Sequence, residues 1–322
     1  MKSIEIFSSN IPEPVFTIAI PTFCRSSLLK EAVFSALNQV TSIPYDIIVV
    51  DNNPERNDET EQLMDHFKDN PLVGYYKNSS NLGMVGNWNQ LFCLAKGQWV
   101  SMLHDDDLLF SFYLDVIGKA TRHLNMPDVI ISSRVTSSSR ELKTDNLPSM
   151  IKYRHITPKL FILGNIIGPP VGMCVRKEYF FSTLGFRQEM YPSIDFDFFI
   201  TTSQNGNLYE LKNPLCLYYI GANESLNKET IIGFFVDAQK ISNRLTRELK
   251  FPYNILNVFC YRWMIKDVAR WTKKFCNDEV VLEALCKINY KTNRILECVS
   301  TIIAKIVQRF LHRKAKLFPF EL

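Results

Sequence analysis

The chain has 322 residues, 46% of them hydrophobic and 22% charged, a composition within the range of ordinary globular proteins and enough chain for a sizeable core. Its 37 basic and 33 acidic residues leave a net charge of +4, which gives no bulk electrostatic case for a nucleic-acid partner. The eight cysteines show no C-x-x-C spacing, so neither zinc nor a redox pair is indicated and they read as small buried hydrophobes in a reducing compartment.

The amino-terminal stretch carries Lys2, Glu5, Pro12 and Glu13 and lacks the apolar run of a secretory signal. The longest uncharged stretch, Leu160 to Val175, is broken by Gly164, Gly168, Pro169 and Pro170 and is too short to span a bilayer as a helix. Both features point to a cytoplasmic protein.

Short β-rich runs alternate with helical periodicity through the first half, the pattern of a mostly parallel sheet with helices on its faces. Phe16 to Ile20 reads as a strand, and a helix begins near Ser26, with Leu28, Leu29, Ala32, Val33, Ala36 and Leu37 on one face. Asp46 to Val50 suits a strand buried on both sides and ends at Asp51. A third strand is expected near Val73 to Tyr76, a helix from about Gly86 to Ala95, and a fourth strand from Gln98 to Leu103 that runs into His104-Asp105-Asp106-Asp107. Ser132 to Asp145, rich in Ser and Thr, reads as an exposed loop, order resumes at Val171 to Val175, and from about residue 226 helical patterns take over with little strand signal.

Ligands of an open parallel sheet bind beyond the carboxyl ends of its strands, where Asp51 and the Asp105 cluster both fall. Three adjacent carboxylates repel one another at neutral pH unless a cation or solvent offsets the charge. Magnesium or manganese suits such a site, since each takes one or two carboxylates and completes its shell with substrate phosphates. Taken alone, the run is equally a solvated acidic turn or a helix N-cap.

The wider pattern narrows this. Ile18 to Arg25, Ile48 to Asn53, Asn81-Leu82-Gly83 with Asn87-Trp88-Asn89, Ala95 and Gly97, and Leu103 to Asp107 occur in the order and spacing of glycosyltransferase family 2, which residues 15 to 225 resemble. The resemblance implies a GT-A fold, an α/β architecture with a Rossmann-like nucleotide-binding half at about 15–132 and an acceptor half at about 150–225. A helical C-terminal region, 226–322, follows. It implies inverting transfer of a sugar from a nucleotide-diphosphate sugar donor, by the family's habit a UDP-sugar, to a hydroxyl of a lipid-linked or oligosaccharide acceptor in surface polysaccharide synthesis.

Within that resemblance Pro21, Thr22 and Arg25 match the loop around the nucleotide base, and Asp51 matches the base-recognising acid beside Asn53. Asn81, Gly83 and Asn89 match a donor loop, where Trp88 replaces a frequent Arg. Asp105 falls at the position expected near the ribose and Asp106 at that of the metal ligand, Mn2+ or Mg2+; Asp107 reads as orienting its neighbours. His104 stands where many members carry an acid, and a lone His is more often a structural hydrogen-bonder. Downstream, Gly168 to Gly172, Leu184-Gly185-Phe186 and Ser193-Ile194-Asp195-Phe196-Asp197 are similar to the acceptor half, with Asp195 at the position of the general base that takes the acceptor's proton. Asp197 is the weaker candidate. After Tyr219 the family's Arg-x-His element is replaced by Ile220 to Asn223, so a contact from that loop is missing or falls to Asn223.

Near the C-terminus Ile295, Val299, Ile302, Ile303, Ile306, Val307 and Phe310 recur at helical spacing, with Lys305, Arg309, Arg313, Lys314 and Lys316 on and beyond the other face. Such a basic amphipathic helix docks to an anionic membrane surface or packs on protein, its own helical region or a second subunit of a homodimer; both readings stay open. A non-catalytic sugar-nucleotide-binding scaffold is the alternative function. A metal-dependent phosphohydrolase or nucleotidyltransferase ranks below it, because no G-x-x-x-x-G-K-[ST] loop is present.

Overall fold

A computed structural model of the protein describes residues 2–142, 147–221, 227–273, 276, 278–314 and 317–321. The elements follow in chain order as β1 (Ser3–Phe7), β2 (Phe16–Thr22), α1 (Ser26–Leu37), β3 (Tyr45–Asp51), α2 (Glu59–Met64), β4 (Val73–Asn78), α3 (Gly83–Leu94), β5 (Trp99–Met102) and β6 (Leu108–Leu109). Next come α4 (Tyr113–His123), β7 (Val129–Ser137), β8 (Met150–Ile156), β9 (Met173–Arg176), α5 (Lys177–Phe181), α6 (Ile194–Asn205) and β10 (Leu208–Tyr219). The chain finishes with α7 (Lys228–Glu248), α8 (Tyr253–Thr272), α9 (Asp278–Lys287), α10 (Arg294–Lys314) and β11 (Phe318–Glu321).

The strands form one sheet in the order β1-β4-β3-β2-β5-β9-β7-β10-β8-β11, with β6 paired to β10. Strands β4, β3, β2 and β5 run parallel, as do β7 and β10. Strand β9 sits antiparallel between β5 and β7 and joins the two parallel groups. Period-2 geometry explains the continuous apolar runs: in β3, Ile47 and Val49 face one core while Ile48 and Val50 face the other. Helices α1 and α4 cover the first face, through residues such as Leu29, Val33, Leu114 and Ile117. Helices α3 and α6 cover the second, and α7 to α10 extend the same core with Phe235, Leu245, Met264, Val307 and Leu311. Each such large apolar side chain, fully buried, contributes about 1.5–3 kcal/mol.

One buried carboxylate within the sheet is matched by two hydroxyl donors. Asp46, in the middle of the parallel strands, accepts hydrogen bonds from Thr17 (2.6 Å) and Ser9 (2.9 Å), and burial raises its pKa against those donors.

Two expectations are corrected. Ser132 to Ser137 is not an exposed loop but the later part of β7, paired in parallel with β10; the β10 ladder supplies partners that override its Ser- and Thr-rich composition. Residues 143–146 of that segment lie outside the described residues. The C-terminal region is also not wholly helical, since β11 returns to the sheet and pairs Phe318 with Tyr153 and Glu321 with Met150. The helix expected from Gly86 begins at Gly83, whose φ of +69° sits in the region that glycine tolerates.

Gly97 fixes the approach of the α3–β5 connection to β2. A β-carbon there would lie 2.6 Å from the backbone nitrogen of Thr17 and 2.7 Å from the carbonyl carbon of Phe16, and the Gly97 amide donates to Thr17 Oγ1 at 2.8 Å. Gly97→Ala is therefore expected to destabilise the protein by about 1–3 kcal/mol, read as a lower thermal midpoint. An unchanged midpoint would show that this contact relaxes freely.

Candidate active site

The ends of β2, β5 and β10 converge on the acidic turn after β5. Asp105, Asp106 and Asp107 are all buried, and each is held by a different part of the chain. Asp105 accepts from Thr22 Oγ1 at 2.9 Å and from Arg25 Nη1 at 3.0 Å. Asp106 accepts from the second guanidinium nitrogen of Arg25 at 2.9 Å. Asp107 accepts from the Tyr219 amide at 2.9 Å, at the end of β10, and lies 3.2 Å from His104 Nδ1. Burial pushes the Asp105 carboxyl up to about 6, with Asp106 adding to the rise and Arg25 opposing it.

His104 stacks on Trp88 at a centroid distance of 5.1 Å, so the two positions that depart from the family pattern pack on each other. Burial works against a charged imidazole here, but Asp107, Asp106 and Asp105 outweigh it and raise the His104 pKa. Its Nε2 is buried and has no hydrogen-bond partner among the described residues. Ligand atoms of His104, Asp106 and Asp107 lie within 4.8 Å of one another. Three carboxylates beside one guanidinium, with an imidazole nitrogen held by a carboxylate, make a donor set that fits a hard divalent cation.

Asp195 lies in the first turn of α6, partly exposed, and accepts from the Phe196 amide at 2.7 Å. Burial raises its carboxyl to about 6, and His104 and Arg134 are near enough to oppose that rise. His104 is thus close enough to interact with the acids of its own turn and to oppose the rise at Asp195. Asp197 is directed elsewhere: Arg187 and Arg244 both bind it, Arg187 through Nε at 2.8 Å and Arg244 at 3.0 Å. Two residues along a helix turn a side chain by about 200°, which separates the two acids.

Several motif residues are tied into hydrogen-bond networks within the chain, Asp51 and Asn53 buried, Asn89 half-buried, and Asn81 and Gly83 exposed. Asp51 is fully buried and accepts from Lys77 Nζ (2.8 Å), Tyr75 (2.9 Å) and the Asn53 amide (2.9 Å). Asn53 donates to Asp58 at 2.6 Å, and Asp58 also receives Lys77. Asn81 accepts from Asn52 at 2.7 Å and from the Gly83 amide at 2.8 Å. Asn89 exchanges two hydrogen bonds with the Phe186 backbone, at 2.8 and 2.9 Å, and so ties α3 to the Leu184-Gly185-Phe186 turn. Pro21 is buried at the end of β2, beside Thr22. Asn223 lies outside the described residues.

The sequence reading missed Arg134 and Arg140, both within the segment taken as a loop. Arg140 donates to the carbonyl oxygens of Leu28 (2.9 Å) and Asp105 (3.4 Å), and its guanidinium lies over the Tyr219 ring. Arg134 donates to the Ile167 carbonyl at 2.8 Å and packs against Gly168, where a β-carbon would stand 2.2 Å from its Nη2. The available signal was two arginines in an otherwise polar, uncharged run from 132 to 140.

The profile described as "Glycosyl transferase family 2" matches residues 17–184. The chain is similar to an uncharacterised protein of Mycobacterium tuberculosis, 23% identical over 61% of this chain and 64% of that one. It is also similar to the GalNAc(5)-diNAcBac-PP-undecaprenol beta-1,3-glucosyltransferase of Campylobacter jejuni, 34% identical over 32% of this chain and 33% of that one. The matches thus span between about a third and about two thirds of these relatives. Among solved structures, S. aureus TarS 1-349 in complex with UDP-GlcNAc superposes with a TM-score of 0.53 at 14% identity, covering 79% of this chain and 83% of that one. A mannosyltransferase from Pyrobaculum calidifontis in complex with GDP-Man and Mn2+ superposes with a TM-score of 0.55 at 12% identity, covering 97% and 86%. These likenesses establish the GT-A fold. A profile match over more than half of the chain, joined to that fold, means that the chain belongs to glycosyltransferase family 2.

Proposed function

We propose that the protein is an inverting glycosyltransferase that moves a sugar from a nucleotide-diphosphate sugar, with UDP as the nucleotide, to a hydroxyl of a lipid-linked glycan acceptor. The observation that carries the reading is the gathering of buried Asp105, Asp106 and Asp107 around His104, whose Nδ1 lies 3.2 Å from Asp107, with Asp195 near enough for His104 to oppose the rise of its pKa. The C. jejuni relative's name, with its PP-undecaprenol acceptor, supports the lipid-linked class and a place in surface polysaccharide synthesis such as O-antigen or capsule.

In this reading Asp195 accepts the proton of the acceptor hydroxyl while that oxygen attacks the anomeric carbon, and the bond to the donor diphosphate breaks with inversion. Asp106 would hold Mn2+ or Mg2+, with His104 and Asp107 beside it, and a bound ion would supply charge neutralisation at the departing diphosphate. Thr22 and Arg25 set the angle of Asp105 and Asp106, and Arg134 and Arg140 add positive charge that offsets the negative charge developing on the departing diphosphate. Pro21 and the ends of β2 and β3 form the base side of the pocket, with Asp51 and Asn53 acting from beneath through the Lys77 network. Asn81, Gly83 and Asn89 shape the donor loop. The stacked Trp88–His104 pair closes the pocket on the donor side.

Two measurements test this. With a panel of nucleotide sugars and a lipid-linked acceptor mixture, Asp195→Asn is expected to lower transfer by about 10²–10⁴-fold while donor binding persists. Asp106→Asn is expected to abolish the part of turnover that EDTA removes from the wild type. Wild-type rates in either variant refute the assignment, and a protein that binds donor yet never releases nucleoside diphosphate is a scaffold instead.

The pH profile gives an independent check. A base must be ionised to accept a proton, and burial holds Asp195 at about 6, so kcat/KM is expected to rise with pH through about 6 and level off above it. A profile already flat at pH 5 would assign the proton transfer to another group.

A further inference from the structure

Helix α10 carries two separate apolar stripes, and the fold uses one of them. At 3.6 residues per turn Ser300, Ala304, Val307 and Leu311 fall within about 60° of arc, and all are buried against the helical core. Ile295, Val299, Ile302 and Ile306 fall within another arc of about 60° on a different side of the helix, and they are 76%, 38%, 59% and 59% exposed. Apolar side chains at this spacing and exposure leave much of their surface uncovered by the described residues. On α8, which packs against α10, Ile255 and Val258 are exposed too, as is Phe251 just ahead of it.

The charges beside this stripe are one-sided. Arg294, Lys305 and Arg309 are exposed on α10, Lys305 and Arg309 border the apolar arc, and the sequence continues with Arg313, Lys314 and Lys316. The acid within α10 is Glu297, half-buried and 3.9 Å from Lys266. No helix among the described residues is long and apolar enough to cross a membrane, so the stripe belongs to a helix that lies along a surface.

We propose that α10, with the exposed residues at the start of α8, is a docking face for an anionic lipid bilayer, its isoleucines entering the acyl boundary and its cations resting on lipid phosphates. Charge complementarity selects this occupant over a second copy of the chain. A symmetric pairing of the same face would bring Lys305 and Arg309 to a surface whose one acid is already paired, whereas anionic headgroups supply the missing counter-charge. The inference builds on the lipid-linked acceptor proposed above, because an acceptor on a lipid carrier has to be met at a bilayer.

The test is flotation of the full chain with vesicles of phosphatidylcholine alone and of phosphatidylcholine mixed with phosphatidylglycerol. Binding to the anionic vesicles is expected, reduced by high salt and weaker on the neutral ones. Ile302→Glu with Ile306→Glu is expected to weaken binding by at least about tenfold; Lys305→Gln with Arg309→Gln is expected to weaken binding to anionic vesicles about thirtyfold and leave neutral vesicles unaffected. Circular dichroism verifies folding, and the charge variant alone suffices should the isoleucine variant not fold. No vesicle binding by the wild type, or undiminished binding by the folded variants, overturns the proposal, as does a light-scattering dimer that the isoleucine variant dissociates. Metal-dependent nucleoside diphosphate release from the donor, measured without vesicles, reads the transfer site separately: release without vesicle binding sinks the docking face alone, and vesicle binding without release sinks the transferase reading alone.

Discussion

Three buried carboxylates at the mouth of a parallel sheet are the constraint around which the rest of the site is arranged. Carboxylates removed from water are costly unless charge and hydrogen bonds compensate them. Here the compensation comes from three directions: Thr22 and Arg25 at the end of β2, the Tyr219 amide at the end of β10, and the His104 ring of the turn itself. Strands far apart in sequence are thereby pinned to the same point. One guanidinium against three acids favours further positive charge at this point, and a divalent cation would supply it.

Below that point the polar residues serve rigidity. Asp51, Lys77 and Tyr75 satisfy one another with almost no exposure, and Asn52, Asn78 and Asn87 form a connected amide network that reaches the exposed Asn81. A buried network of this kind tolerates no partial arrangement, since each lost partner leaves an unsatisfied group. Asn89 extends the same logic across the molecule by clamping Phe186, so that the turn preceding α6, and Asp195 on that helix, is referenced to the donor side.

The C-terminal helices are joined to this framework by apolar packing rather than by polar pins. Phe235, Leu245, Met264 and Val307 share one core with the sheet residues Val100 and Met173, and β11 closes the far edge by pairing with β8. A helix so anchored presents its outer face rigidly, and on α10 that face is apolar and basic together. The transfer site and the proposed lipid-facing surface therefore belong to a single packed body.

The sequence alone determined the elements whose cause is local. The β2 and β3 runs are buried on both faces, so their apolar residues are continuous and need no context; the α1 stripe follows from helical periodicity, and the acidic turn follows β5 directly in the chain. The family pattern brought Asp106 and Asp195 forward as candidates by position. What only the tertiary structure decided is which polar residues face the cleft and which lie beneath it, because a hydrogen bond such as Lys77 to Asp51 or Asn89 to Phe186 depends on how separate elements pack. For the same reason Ser132 to Ser137 is a strand that its own residues do not announce: its partner, β10, is remote in the chain, pairing Ser132 with Leu211 and Ser137 with Tyr219, and with it Arg134, and Arg140 just beyond the strand, come to the site. The two stripes of α10 look like one broad apolar helix in the sequence, and only the core that covers one of them separates a packing face from a face turned outward.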